Sequence, residues 1–212
     1  MEYLHFSGRN IDINLDLFKN LRELRCFDSN KITRIVNLPK LKLLSCGNLL
    51  NLESISIPGL ESLGISNCLN VASISIPRLK KLEISKCPII EGKLGSLFPE
   101  LEYLDCSNSD IEQIPIIPTL KELLCYNTKV KEIPKQLVNL TKIYCRNTNV
   151  KIIDATKMPN LKGDGISANE GTQVIFLGRY GKYVEIMEDG YLTPLEESDD
   201  EFDGVPDASD SD

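Results

Sequence analysis

The feature that most constrains this chain is a period. Aligned on the pattern Leu-x-x-Leu-x-(Cys/Ile), successive units begin at Met1, Leu21, Leu41, Leu60, Leu79, Leu101, Leu120, Leu140 and Leu161, spaced by 20, 20, 19, 19, 22, 19, 20 and 21 residues. The fourth position reads Leu4, Leu24, Leu44, Leu63, Leu82, Leu104, Leu123 and Ile143; the sixth reads Phe6, Cys26, Cys46, Ile65, Ile84, Cys106, Cys125 and Cys145. In the ninth unit Asp164 interrupts the fourth row and Ile166 is assigned to the sixth. A repeat of this kind denotes a stack of equal supersecondary units, because a single unit cannot cover its own apolar side.

The spacing within a unit has a mechanical meaning. Alternate residues of an extended segment face opposite sides, so positions four and six point into the coil while three, five and seven point outward. Stacking such strands in parallel, about 4.8 Å apart, buries a continuous apolar row. Proline stands two residues before the unit start at Pro39, Pro58, Pro77, Pro99, Pro118 and Pro159, where a fixed φ and a missing donor suit a tight entry into a strand. The return segment, with Ile32, Ile35, Ile55, Ile74, Ile114 and Ile133, leaves little room for a helix, so extended, polyproline-like or 3₁₀ returns are expected. Ser29, Cys68, Cys87, Ser109, Thr128 and Thr148 hold the ninth position, where small polar side chains can bond the turning backbone inside the coil. Asn48, Asn67, Asn108, Asn127 and Asn147, one residue earlier, are turn residues.

The segment Leu101-Glu-Tyr-Leu-Asp-Cys106-Ser-Asn-Ser109-Asp-Ile111-Glu-Gln-Ile114-Pro115 resembles the short leucine-rich repeat, Leu-x-x-Leu-x-Cys-x-x-(Asn/Thr)-x-Leu-x-x-Leu-Pro. The resemblance covers residues 1 to about 162, and it departs from the family at the ninth position, where Ser, Thr or Cys replaces the usual asparagine. This cysteine-containing form is similar to repeats in large amoeba-infecting DNA viruses and, more loosely, in bacterial effectors. It implies an α/β-type repeat fold, mainly β and helix-poor: a leucine-rich-repeat solenoid with a parallel sheet on its concave face, where a protein partner binds.

Residues 163–195 leave the pattern. Thr172–Leu177 and Lys182–Met187 read as two strands around a glycine-flanked turn. A solenoid needs its last coil covered, so this hairpin is expected to be a C-terminal cap, with a small independent interaction module as the alternative. The expected organisation is therefore a solenoid over 1–162, with eight clear repeats and a degenerate ninth from 161, a hairpin cap over 163–195, and an acidic tail over 196–212. The first coil, with Phe6, Ile11 and Phe18, either covers its own end or meets a partner.

Charge sharpens this division. The net charge is −7, yet residues 185–212 hold twelve acids and no Lys or Arg, which leaves 24 basic residues against 19 acids in residues 1–184. The tail is too polar to order itself. It either solubilises the chain or folds back on the weakly basic body and competes with an acidic partner; Ser198, Ser209 and Ser211 lie in the acidic context that acid-directed kinases accept.

Function must be sought on the outward positions, since the period accounts for the leucines, prolines and cysteines. The third and fourth units display small, mostly polar residues such as Ser45, Gly64 and Ser66. The sixth to eighth differ, and Tyr103, Asp105, Leu124, Tyr126, Lys142, Tyr144 and Arg146 are the candidate partner-binding residues. Tyrosine and arginine anchor interfaces; cross-strand stacking that only stiffens the sheet is the competing reading.

Catalytic readings fare poorly. His5 is the sole histidine, so a thiol or hydroxyl nucleophile has a single possible imidazole partner. Gly178-Arg-Tyr-Gly-Lys182 lacks the spacer and the Ser/Thr of a phosphate loop. The seven cysteines contain no Cys-x-x-Cys pair and read as buried small hydrophobes in preference to zinc or redox centres. Their odd number, with no basic leader at the start, points to reduced thiols in a cytoplasmic compartment. No stretch approaches the ~20 apolar residues of a membrane span. The expectation is a non-enzymatic protein-interaction scaffold or adaptor without cofactor or metal. The alternative is an effector-like inhibitor or substrate-recruiting subunit of a ubiquitin-type system. Nucleic-acid binding through Lys121, Lys142 and Arg146 ranks third, because the acidic tail and the lack of a recognised module weigh against it.

Overall fold

Nine short strands, one per repeat, stack side by side. The computed structural model describes residues 1–9, 13–88, 93–179, 181–188 and 191–192. Its front sheet is β1 (Tyr3–Ser7), β2 (Glu23–Phe27), β4 (Leu43–Gly47), β6 (Ser62–Ser66), β8 (Lys81–Ser85), β9 (Tyr103–Asp105), β10 (Glu122–Leu124), β11 (Lys142–Tyr144) and β13 (Ile166–Ser167), in that spatial order. All neighbours are parallel and in register, Leu24 beside Leu44, Leu63 beside Leu82 and Leu123 beside Ile143. The fourth and sixth rows are buried from the second unit onward, five cysteines among them, and the ninth-position Cys68 and Cys87 are buried as well. That burial is the reason the period exists: each leucine is covered by the same residue of the coils above and below.

The returns are of two kinds. In units two to four they form β3 (Arg34–Val36), β5 (Ser54–Ser56) and β7 (Ser73–Ser75), a small parallel sheet along the back. In units six and seven no return strand forms among the described residues. The residue after the inward isoleucine explains this. It is Val36, Ser56 and Ser75 in the first set, but Pro115 and Pro134 in the second, and proline has no N–H to give to a ladder. In the eighth unit Asp154 takes that place and a strand returns, β12 (Ile152–Asp154). The longest unit, the fifth, carries the one α-helical turn among the described residues, α1 (Leu94–Leu97), next to the fully buried Phe98. The helix-poor expectation is met.

The corners are held by the polar rows. At the eighth position Asp28, Asn48, Asn67, Lys86, Asn108, Asn127 and Asn147 all have positive φ, between 50° and 59°, the left-handed region in which asparagine and aspartate are tolerated. Asparagine side chains also form a ladder beyond their role as turn residues. Asn67 Nδ2 donates to Asn48 Oδ1 at 2.7 Å, and Asn127 Nδ2 to Asn108 Oδ1 and Asn147 Nδ2 to Asn127 Oδ1 at 2.8 Å each. Asp28 starts the first run, accepting from Asn48 and Ser7; these two donors hold its carboxyl below the usual range. At the ninth position the hydroxyls of Ser109, Thr128 and Thr148 donate to the carbonyls of Cys106, Cys125 and Cys145. The Cys68 and Cys87 thiols make the weaker equivalent to Ser66 and Ser85. The departure from the family's ninth-position asparagine is thus met by short local bonds inside each coil.

The ninth unit requires a correction. Ile166 pairs with Ile143 and Ser167 with Tyr144, so Ile166 continues the fourth row, not the sixth, and the buried Ala168 follows it inward. The cause is a 3₁₀ turn over Gly163–Gly165 that places two extra residues before the strand. A Cβ on Gly165 would overlap the carbonyl oxygen of Thr141, so only glycine lets the turn press against the eighth coil.

After β13 the chain crosses to the back. There β14 (Gln173–Gly178) lies parallel to β12, with Val174 beside Ile153, and turns into the antiparallel β15 (Gly181–Glu188), followed by β16 (Tyr191–Leu192). The expected hairpin forms, and its first strand is also the return of the ninth coil. Val174, Phe176 and Met187 complete the core at this end. At the other end Leu4, Phe6, Ile13 and Phe18 are only partly covered; Ile11, and the tail from residue 193, lie outside the described residues.

Candidate interaction surface

Four thiols of the interior are chemically quiet, while that of Cys68 is lowered by its hydrogen bond with Cys46. Burial pushes the thiols of Cys26 and Cys145 up to about 12, and that of Cys125 higher still. Cys46 is raised by its hydrogen bond to Cys68 and by burial. These thiols are protonated at neutral pH, which removes the form that attacks or ligates. Among the described residues no three His, Cys, Asp or Glu side chains gather where they could hold a metal ion, and no helix is long and apolar enough to cross a membrane. His5, on β1, meets the edge of Phe27 at 6.1 Å between ring centroids.

What remains is the concave face. Its third-position row runs Lys81, Tyr103, Glu122, Lys142, and its fifth-position row runs Glu83, Asp105, Leu124, Tyr144, Ser167. Backbone bonds from Asn108 to Tyr126 and from Asn127 to Arg146 align the seventh row as Ser107, Tyr126, Arg146. The seven residues singled out from the sequence therefore occupy one continuous surface over three strands. Tyr103, Asp105, Leu124, Tyr126 and Tyr144 are half-buried, and Lys142 and Arg146 exposed.

Several of them are engaged within the chain. Lys142 Nζ pairs with Glu122 at 3.0 Å, which raises the Lys142 pKa, and Arg146 Nε donates to Ser167 Oγ at 2.8 Å. Lys81 Nζ sits 4.7 Å from the centre of the Tyr103 ring and 2.8 Å from Glu83. Burial, with Asp105, Glu83 and Glu122 nearby, pushes the Tyr103 hydroxyl up to about 12. Both cations that look free in the sequence thus have intramolecular contacts, and the surface is more pre-organised than a list of exposed residues suggests.

The sequence did not single out Lys81, Glu83, Ser107 or Ser167. Ser167 was hidden by the shifted register of the ninth unit. Lys81 and Glu83 were visible as outward positions, but their contacts cross strands. Ser107 is 5% exposed although it occupies an outward position, and its Oγ is the one buried side-chain polar atom without a hydrogen-bond partner among the described residues. It lines a shallow groove with Glu83, Ser85, Asp105 and Tyr126.

A helix-poor stack of parallel coils, with buried leucine rows inside and one variable sheet face outside, is a solenoid of the leucine-rich-repeat class. A solved structure agrees. Human 5T4, the trophoblast glycoprotein also called Wnt-activated inhibitory factor 1, superposes with a TM-score of 0.56 at 14% identity, covering 79% of this chain and 75% of that one. A leucine-rich-repeat protein of Leptospira interrogans (TM-score 0.41, 19% identity, 82% of this chain and 54% of that one) and an internalin of Listeria monocytogenes (TM-score 0.32, 15% identity, 74% and 70%) are also similar. The chain has the leucine-rich-repeat fold. No family model and no curated protein matches its sequence. None of these three is viral, and the likeness to viral repeats rests on the repeat pattern.

Proposed function

We propose that this protein is a non-enzymatic interaction scaffold or adaptor that binds a protein partner on its concave sheet, through Tyr103, Asp105, Leu124, Tyr126, Lys142, Tyr144 and Arg146. The observation that carries this reading is the contrast between rows. The periodic positions are spent on the core and the corners, while the outward rows of β9 to β11 bring three tyrosines and an arginine onto one surface. Large, rigid aromatic side chains lose little freedom on binding and supply contact area with a polar handle. Fixing Lys142 and Arg146 beforehand lowers the ordering cost further.

The reading assigns residues 1–162 to display, 163–195 to sealing the C-terminal end, and 196–212 to an acidic appendage. Seven buried cysteines, none of them in a disulfide, suit a reducing, cytoplasmic setting. The test is capture of a partner from cells by the wild type and by a Tyr126→Ala, Tyr144→Ala, Arg146→Ala triple variant, with far-ultraviolet circular dichroism confirming that the variant is folded. Capture is expected to be lost; undiminished capture by a folded variant overturns the reading.

A further inference from the structure

The concave face carries a second feature, next to the tyrosines and of opposite charge. Glu83 and Asp105 are register partners on adjacent parallel strands, which lie about 4.8 Å apart, so two like charges stand side by side and repel. Glu83 has Lys81. Asp105 accepts a hydrogen bond from the Ser107 backbone N–H at 3.0 Å and has no salt-bridge partner among the described residues. Ser107 contributes the buried hydroxyl that lacks a partner, and buried polar groups are ordinarily paired.

Lys81 shows what a cation does on this surface, touching a carboxylate and the face of Tyr103 at once. A carboxylate and a ring occur together again in the groove, as Asp105 and Tyr126, this time without a resident cation. We propose that the groove receives a Lys or Arg side chain of the protein segment bound on the concave sheet. The cationic head lies between Asp105 and Glu83, beside Tyr126, with one N–H given to Ser107 Oγ. A basic peptide is favoured over nucleic acid, whose phosphates the two carboxylates repel. This inference rests on the scaffold reading and adds to it the chemistry of one contact.

The test is a nuclear magnetic resonance titration of the full chain with a short glycine–arginine peptide, its citrulline counterpart and calcium chloride, each added to wild type, Glu83→Gln and Asp105→Asn. The arginine peptide is expected to shift the amides of Ser85, Ser107 and Tyr126, and the citrulline peptide to bind about tenfold more weakly. Each charge-neutralising variant should weaken the arginine peptide about tenfold without lowering the thermal midpoint, because it also relieves a like-charge contact. Equal binding of the citrulline peptide, or affinity unchanged in both variants, overturns the proposal; so does calcium that saturates the same amides and displaces the peptide. If the tyrosine–arginine triple variant loses its cellular partner while Glu83→Gln and Asp105→Asn retain it at full strength, the groove is refuted and the scaffold reading stands. If the groove binds the arginine peptide as described but the triple variant captures its partner undiminished, the scaffold reading falls instead.

Discussion

The solenoid is built in two manners, and unit five is where they meet. Units two to four use five-residue front strands and a second sheet along the back; units six to eight use three-residue front strands, and proline replaces return strands in two of the three. The interior rows are the same throughout. A common core thus tolerates two kinds of outer wall, because the leucine rows are covered by stacking and the returns need only bring the chain back to the next corner. The half without the three-stranded back sheet is also the half that displays the tyrosines.

The largest expected effect tests the shared core. Leu63→Ala and Leu123→Ala each remove a fully buried leucine of the fourth row, one from each half. Each should cost about 2–5 kcal/mol in urea denaturation, because neighbouring coils relax only partly into the cavity. Similar losses confirm a common interior; a loss below about 1 kcal/mol in one half only would show that its leucines are not structural equals.

A smaller effect should separate the halves. The Glu53 N–H donates to the Thr33 carbonyl at 2.8 Å beside the back sheet, and its side chain is exposed. Glu53→Pro is expected to cost about 2–3 kcal/mol, through the lost bond and the carbonyl left unpaired. Lys131→Pro, at the matching place in unit seven, three residues before Pro134 as Glu53 is before Ser56, where no strand forms, should change stability by less than about 1 kcal/mol. Equal penalties would remove the claim that proline placement decides which returns become strands.

Gly165→Ala probes the sealed end. Forcing a Cβ against the Thr141 carbonyl should cost about 1–3 kcal/mol. Amide exchange should accelerate in the ninth coil and the hairpin while β2 to β6 stay protected, since each coil contacts only its neighbours.

Much of this was legible in the sequence. The rows gave the strands, their parallel register, the burial of every cysteine and the helix-poor returns, because each follows from one residue type recurring at one offset. The hairpin was legible from its alternating apolar residues around glycines. The shift of Ile166 to the fourth row was not, since Gly163-Asp-Gly165 lengthens the entry without breaking the leucine at 161. Nor were the contacts of Lys142 with Glu122 and Arg146 with Ser167, which depend on which strand lies beside which. The placement of Pro115 and Pro134 was visible, but its effect emerges only against Val36, Ser56, Ser75 and Asp154 at the matching positions. Ser107 follows the outward pattern, and only packing reveals it as a buried hydroxyl without a partner.

The smallest effect would join the halves. The asparagine ladder runs from Asp28 through Asn48 to Asn67 and resumes from Asn108 through Asn127 to Asn147. Lys86 stands at the break, in the same left-handed conformation as its neighbours, with φ of 52°. Lysine tolerates that conformation poorly and cannot offer both a donor and an acceptor to the adjoining coils. Lys86→Asn replaces it with the side chain the corner uses elsewhere, able to donate toward Asn67 and accept from Asn108. A gain of about 0.5–1 kcal/mol is expected, from a relieved left-handed residue and exposed amide bonds of modest net worth. Cooperativity is the sharper readout: two halves joined by the core and the β8–β9 pairing but not by the corner ladder can unfold with a broad or split transition, and a continuous ladder should narrow it. A destabilised variant, or an unchanged transition width and midpoint, would mean that the break at unit five is a spacer for the longer repeat and not a missing bond.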